Sequence, residues 1–482
     1  MTAVARSPFF CLKADNVKTP NRRSIVVPLL LCSVFAACAE PPRFLGISEP
    51  TLKDQGQHHK TWQRVSSYMT SYGRVVTRTN TYQEIGTGMS WLDREANPPV
   101  WRDTEESIEV FPAGGIARKG PHQLIISPQL AGETPTLDIM TPDGKRLLCS
   151  LFGLVYRDPV SGNNVMIAEP NPDAVATLVS SQRVVFENAL LDYSASLQIT
   201  YTRAGVESEL ILHENIDPPS EWNLSPETRL TVWSEWFDLP EVRKEVHLVA
   251  GESDALARQL MAEPDRIDET IIFGEMRLTQ GSAFQVGEGA STDSIIVSKQ
   301  LVEVEGRTFL IESADYREIE PMLKALDLAR NAAPAPGPKL QLAKRQPAKS
   351  LTELVASVAG TRPSARDIDS FASRRSEILT SALVPAQAPA FEMARSDYQQ
   401  RRGVSVDWTA VISQTNTIFK ANETYFCSSL VNLAGTTVIE GGTCVKFSPT
   451  NNPAIWFFGA GGLPDFAGAS GLVHSSRGSQ CR

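Results

Sequence analysis

The chain has 482 residues, 42% of them hydrophobic and 21% charged, with a formal net charge of −9 at pH 7. That balance can bury a core and excludes a chain dominated by disorder, and its acidic sign leaves no basic footprint for nucleic acid. At roughly 100–200 residues per domain, the length allows two or three domains.

Residues 1–39 have the layout of a signal peptide. Arg22 and Arg23 precede Ser24–Ala39, an uncharged stretch that ends in small residues. A basic front, a short apolar core and a small-residue exit are the three parts of a secretory signal. The core is shorter than the about 20 residues a membrane span needs. Ala37-Cys38-Ala39 fits a cleavage site that leaves Glu40 as the new terminus. The run Phe35–Cys38 also resembles a bacterial lipobox, which implies lipid attachment at Cys38. The expectation is an exported protein, secreted or at the cell surface, including the outer-membrane lipoprotein case. It would meet a membrane only through the signal peptide or a lipid anchor. Beyond residue 39 the cysteines are Cys149, Cys427, Cys444 and Cys481. None forms a C-x-x-C pair, so neither a zinc ribbon nor a thioredoxin-type site is supported. Cys149, within the apolar run Leu147–Phe152, reads as a small buried hydrophobe.

Residues 40–84 are polar and turn-rich and read as an irregular lead-in segment, with His58 and His59 as a surface pair. Residues 85–330 are dense in strand signals and read as a β-rich, sandwich-like domain. Leu197, Ile199 and Tyr201 alternate with Gln198, Thr200 and Thr202, the period-2 pattern of a half-buried strand. Ala204-Gly205 turns that strand into Val206–Leu212. Leu301–Ile311 is a second hairpin, with Glu305-Gly306 at its turn. A short helix is expected at Ser253–Ala262, and a longer one at Arg317–Arg330 with Ile319, Met322, Leu323 and Leu326 on one face. Residues 331–349 hold four prolines and read as a linker and domain boundary. Residues 350–384 carry two helix signals. Ser350 and Glu353 have capping-box spacing ahead of Leu354 and Val355, and Ile368, Phe371, Ile378 and Leu379 repeat at helical spacing. Neither helix has an obvious partner, so both are expected on the surface or loosely placed. Residues 385–402 are a second linker, and 459–482 read as a disordered tail.

Residues 403–458 end in short apolar runs, Tyr425–Cys427, Thr437–Ile439, Cys444–Phe447 and Ile455–Phe458, separated by Asn, Gly, Thr and Pro. Runs that short and that regularly punctuated read as β structure. Gly441 and Gly442 supply a bend at no steric cost. The segment resembles the first coil of a right-handed parallel β-helix, which implies an inward apolar row and further coils beyond it. If the coil stacks Tyr425–Cys427 directly on Cys444–Phe447, strand spacing brings Cys427 and Cys444 into disulfide range. The other outcome is two free thiols on offset strands. Trp91–Arg94, Gly120–Gln123, Arg203–Ser208, Trp233–Phe237, Asp268–Thr270, Gly306–Leu310 and Val438–Gly442 resemble the N-terminal part of large uncharacterised exported bacterial proteins that continue into β-helical or repeat regions. That resemblance implies no assigned activity.

Motifs for chemistry are missing. There is no G-x-S-x-G, and His213-Glu214 lacks the second histidine of a zincin. The six histidines are scattered, and no catalytic, cofactor or metal set emerges. Trp233 and Trp236 are the weak candidates for stacking on a glycan, but their setting among Leu, Val and Phe favours a core. The expected function is non-enzymatic: a structural or adhesive surface or secreted module, with glycans or other surface proteins as partners. The alternatives are a fragment of a β-helical polysaccharide-processing enzyme and a carbohydrate-binding sandwich. The sequence does not indicate an oligomeric state.

Overall fold

The computed structural model describes residues 41–111, 114–131, 134–287, 290, 293–330, 346–358 and 398–458. It is mainly β, with 55% strand and 8% helix. The chain divides into two compact units. The small one has 41–46 and 66–78 as its described residues, and the large one holds 47–65 with everything from 79 onward. The expected boundaries at 39/40, the linker 331–345, the second helix near 364–379 and the tail 459–482 lie outside the described residues.

The lead-in segment is not irregular. It forms β1 (Arg43–Ile47), β2 (Thr51–Gly56), β3 (His59–Met69) and β4 (Val75–Ile85), linked in one sheet. Its residues are polar because both faces of these strands are largely solvated, and that removed the alternation by which strands are read. In the small unit, β3 turns into β4 through Ser71-Tyr72-Gly73. Thr70 N donates to Arg74 O at 2.8 Å, and Gly73 N donates to Thr70 O at 2.9 Å. Gly73 sits at φ 71°, the left-handed position that closes a three-residue hairpin loop.

The large unit has an antiparallel body. Its strands from Glu109–Phe111 to Gly403–Ile412 form one hydrogen-bonded system that closes on itself. The hairpins expected at 195–212 and 301–311 are present. Tyr201 faces Val206 and Leu197 faces Leu210, and Val304 faces Arg307 across Glu305 and Gly306. Those two turn residues take φ 51° and 71°. The walls connect through Ser294–Val304. Its first part pairs with Gly281–Val286 and its second part with Arg307–Asp315. A long strand that changes partners midway turns two sheets into a closed system, which short-range alternation does not reveal.

Gly403–Ile412 corrects the expected domain division. It pairs along its length with Gly205–Leu212, Val206 facing Ala410 and Leu212 facing Val404, and its other edge takes Met276–Leu278 and Gly281–Val286. The body therefore does not end near residue 330, because one of its central strands arrives after the Pro-rich linker. Ala195–Tyr201 is buried on both faces, where the alternation predicted one.

Arg229–Phe237 is central to the other wall, between Arg146–Arg157 and Arg307–Asp315. Its inward row of Leu230, Val232 and Trp236 joins the main core with Phe273 and Trp408. Its outward Trp233 packs with Phe152, Val155, Phe309 and Ile311. Gly153 lies at a register shift opposite this strand, at φ 149°. A Cβ there would meet Ala168 O at 2.6 Å, so only glycine permits the close approach.

Three α-helices accompany the sheets among the described residues. α1 (Ala255–Leu260) is capped by Asp254 and leaves Leu256 and Leu260 exposed. α2 (Tyr316–Arg330) buries Ile319, Leu323 and Leu326 as expected. α3 (Leu351–Ser357) is capped by Ser350, whose Oγ accepts from Glu353 N at 3.1 Å. The helix was expected on the surface or loosely placed; it lies at the surface and is not loose. Leu354 and Val355 are buried in the cluster that holds Trp233, and Asn164 exchanges backbone hydrogen bonds with Ala348 just before the helix.

Candidate functional site

The last body strand runs directly into a stack of parallel ladders. Gln414–Thr415, Val431–Ala434 and Ile455–Phe458 form one, Ile418–Phe419 and Val438–Ile439 a second, and Thr424–Cys427 with Cys444–Phe447 a third. Gln414 pairs with Leu433, Ile418 with Val438 and Thr424 with Cys444, a repeat of about twenty residues. Parallel pairing thus recurs across 414–458 at this spacing. The signal was a self-match: Thr417–Ser428 and Thr437–Ser448 align residue for residue, but only Thr and Ser recur at equivalent ends. The corner also repeats. Asn416 and Gly435 both take positive φ, 56° and 66°. Asn416 Oδ1 accepts from Thr436 N at 3.0 Å, tying one ladder segment to the next.

The base of this stack is β4, which the sequence left as part of an unstructured segment. Gln83, Glu84 and Ile85 pair in parallel with Tyr425, Phe426 and Cys427. Ser428 N donates to Ile85 O, Thr87 N donates to Leu430 O, and Asn432 N donates to Thr87 Oγ1 at 2.8 Å. Asn432 Nδ2 also donates to Ile412 O at 3.1 Å, which fastens Val431–Ala434 to the body. The inward row is Phe419, Tyr425, Cys427, Val431 and Leu433, closed from below by Ile85. Phe419 and Tyr425 meet edge to face at 5.0 Å. Tyr425 Oη donates to Glu423 Oε2 at 2.7 Å and accepts from Lys420 N, so its polar end is satisfied.

The register overturns the disulfide. Cys427 is opposite Phe447 and Cys444 is opposite Thr424. Residues three apart on a strand point to opposite faces, and accordingly Cys427 is buried, Cys444 is exposed and both are free thiols. Burial pushes the Cys427 thiol up to about 11. The glycan-stacking alternative fails as well. Trp233 and Trp236 are 0% and 2% exposed, and their indole N–H groups are used by Thr231 and Ser234. They bury because their strand is covered on both faces, by the main core and by α3. Cys38, the candidate lipid site, lies outside the described residues.

Chemistry-bearing groups do come together in the body interior, where periodicity could not foretell them. Lys299 and Glu312 face each other across paired strands and are both fully buried. Burial pushes Glu312 up to about 8, against the pull of Lys299, and holds Lys299 below the ordinary lysine range. Glu312 borders an enclosed cavity of about 20 Å³ with Ser150, Ser208 and Ser234. That volume suits about one water molecule and no substrate. Ser196 Oγ and His213 Nε2 are 2.8 Å apart, with His213 Nδ1 on Arg402 O at 3.0 Å. This has the outline of a nucleophile–base pair. Ser196 is buried, however, and burial lowers His213 to about 4, so the contact fastens residues near 402 to the body.

A roomy concavity of about 650 Å³ lies beside the stack. Arg277 reaches over the Phe458 ring at 5.7 Å and donates through Nε to Ser413 Oγ. Lys145 and Arg243 face Glu241 and Glu245 there, a mixed-charge lining with no convergent acid–base pair. No group of His, Cys, Asp and Glu able to hold a metal ion occurs among the described residues. No described helix is long and apolar enough to cross a membrane. No protein-family model, curated protein or solved structure matches this chain.

Proposed function

We propose that this chain is the base of an exported, non-enzymatic structural or adhesive protein: a sandwich-like antiparallel body that seats and starts a parallel β-helix. The carrying observation is the seat itself. A parallel β-helix cannot bury the inner face of its first coil without a layer beneath it, and Gln83–Ile85 supplies that layer in register. The stack also leaves Phe447, Trp456 and Phe457 exposed at its far edge, as a surface that takes another coil would. This supports the likeness to exported bacterial proteins that continue into β-helical regions, and any ligand surface then belongs to the coils above. The larger concavity has a mixed-charge lining with no convergent acid–base pair, which favours scaffolding over catalysis.

The test is Ile85→Asp, which puts a charge beneath Cys427 without touching the body interior. Hydrogen exchange should show amides of 414–447 losing protection while the body retains its own. Protected coils in the variant would overturn the role of β4 as the seat.

A further inference from the structure

The small unit has a composition unlike the rest of the chain. Residues 43–46 and 66–78 contain Arg43, Arg74 and Arg78 and no acidic residue, in a protein of net charge −9. They also expose large apolar side chains: Tyr72 at 88%, Val75 at 59%, Phe44 at 56%, Val76 at 49% and Leu45 at 44%. Scattered exposed hydrophobics are ordinary, but a contiguous group marks an interaction surface.

We infer that this hairpin tip docks on an anionic lipid surface, with its apolar residues in the headgroup layer and its arginines on lipid phosphates. Two features choose lipid over a protein partner. Val75 and Val76 are consecutive in β4, as Phe44 and Leu45 are in β1, so each pair points to opposite faces of the ribbon. A protein laid on one face covers only half of them, whereas the interface of a bilayer surrounds both. The charge is likewise complementary, because each cation near an anionic leaflet adds attraction, and tyrosine favours the water–lipid boundary. Local contacts brace the hairpin. The Phe44 and Tyr68 rings meet edge to face at 5.6 Å, and the Thr70–Arg74 closure fixes the loop. In the sequence, Cys38 lies five residues before Arg43. The docking itself rests on neither export nor the coils.

The experiment is vesicle flotation of the chain beginning at Glu40, which keeps every described residue and carries no lipid. Vesicles of phosphatidylcholine with phosphatidylglycerol are compared with phosphatidylcholine alone. The chain should float with the first at low salt and be released by high salt. Arg74→Glu with Arg78→Glu should weaken that partition by about tenfold or more. Tyr72→Ser with Val75→Ser and Val76→Ser should weaken it comparably. These side chains are exposed, so both variants should keep the parent's melting temperature, and binding is read on folded protein. Failure of the parent to float with either vesicle, or equal flotation of parent and both variants, overturns the inference. Neither outcome bears on the coil reading, which hydrogen exchange tests separately.

Discussion

The antiparallel body and the parallel stack are both β structure, yet they are held by different means. The body gathers inward rows from many strands into one large cluster, and several of its pairs are hairpins whose register is set by a two-residue turn. Among the described residues the stack's apolar cluster joins only six buried side chains, and one of them, Ile85, comes from outside it. Its strands meet partners about twenty residues away, so each pairing closes a loop before any contact repays the entropy. The difference teaches that the body is held by its own large cluster, while the stack depends on a layer supplied by β4, a strand that belongs to neither. A parallel ladder this short is thus informative mainly through what lies beneath it.

The predictions test that division. Trp233→Ala removes a fully buried ring from the layer under α3 and should cost about 3–5 kcal/mol in chemical denaturation. The loss should appear in the body's transition, and survival of its midpoint would show that the wall does not depend on that layer. Leu354→Ala tests the same layer from the helix side and should cost about 2–4 kcal/mol. A value near zero would mean that α3 rests on the wall without contributing to it. A smaller effect is expected from Glu312→Gln. Its folded pKa, about 8, lies above the unfolded 4.5, so the folded state holds the proton longer. The contribution is full below the unfolded value and is lost as pH rises through the folded one. Lys299, lowered by burial, has the opposite sign, and its contribution is lost as pH falls. Urea midpoints of the parent should therefore fall from about pH 5 to about pH 8, and the glutamine variant should be flatter over that window. Equal slopes would remove Glu312 as the cause. The smallest effect concerns the stack. Reductant should leave its melting unchanged, and a thiol reagent should label Cys444 quickly while buried Cys427 waits for unfolding. Protection of both thiols in the folded protein would restore the disulfide pairing.

Local pattern made part of this molecule legible. Alternation identified Leu197, Ile199 and Tyr201 as one inward row, Glu305-Gly306 as a turn, Ser350 as a helix cap and Ile319, Leu323 and Leu326 as a buried face. Each of those depends on residues within a few positions of one another. The candidate seat was not legible, because β4 alternates between polar residues and gains its meaning only from Tyr425–Cys427, some 340 residues later. The same reason hid the place of Gly403–Ile412 beside Gly205–Leu212, the covering of Trp233 by α3, and the offset that separates Cys427 from Cys444. A strand's sequence states which side chains share a face. Which strand lies beside it, and at what register, is decided by the burial of all the faces together, and that only the tertiary structure settles.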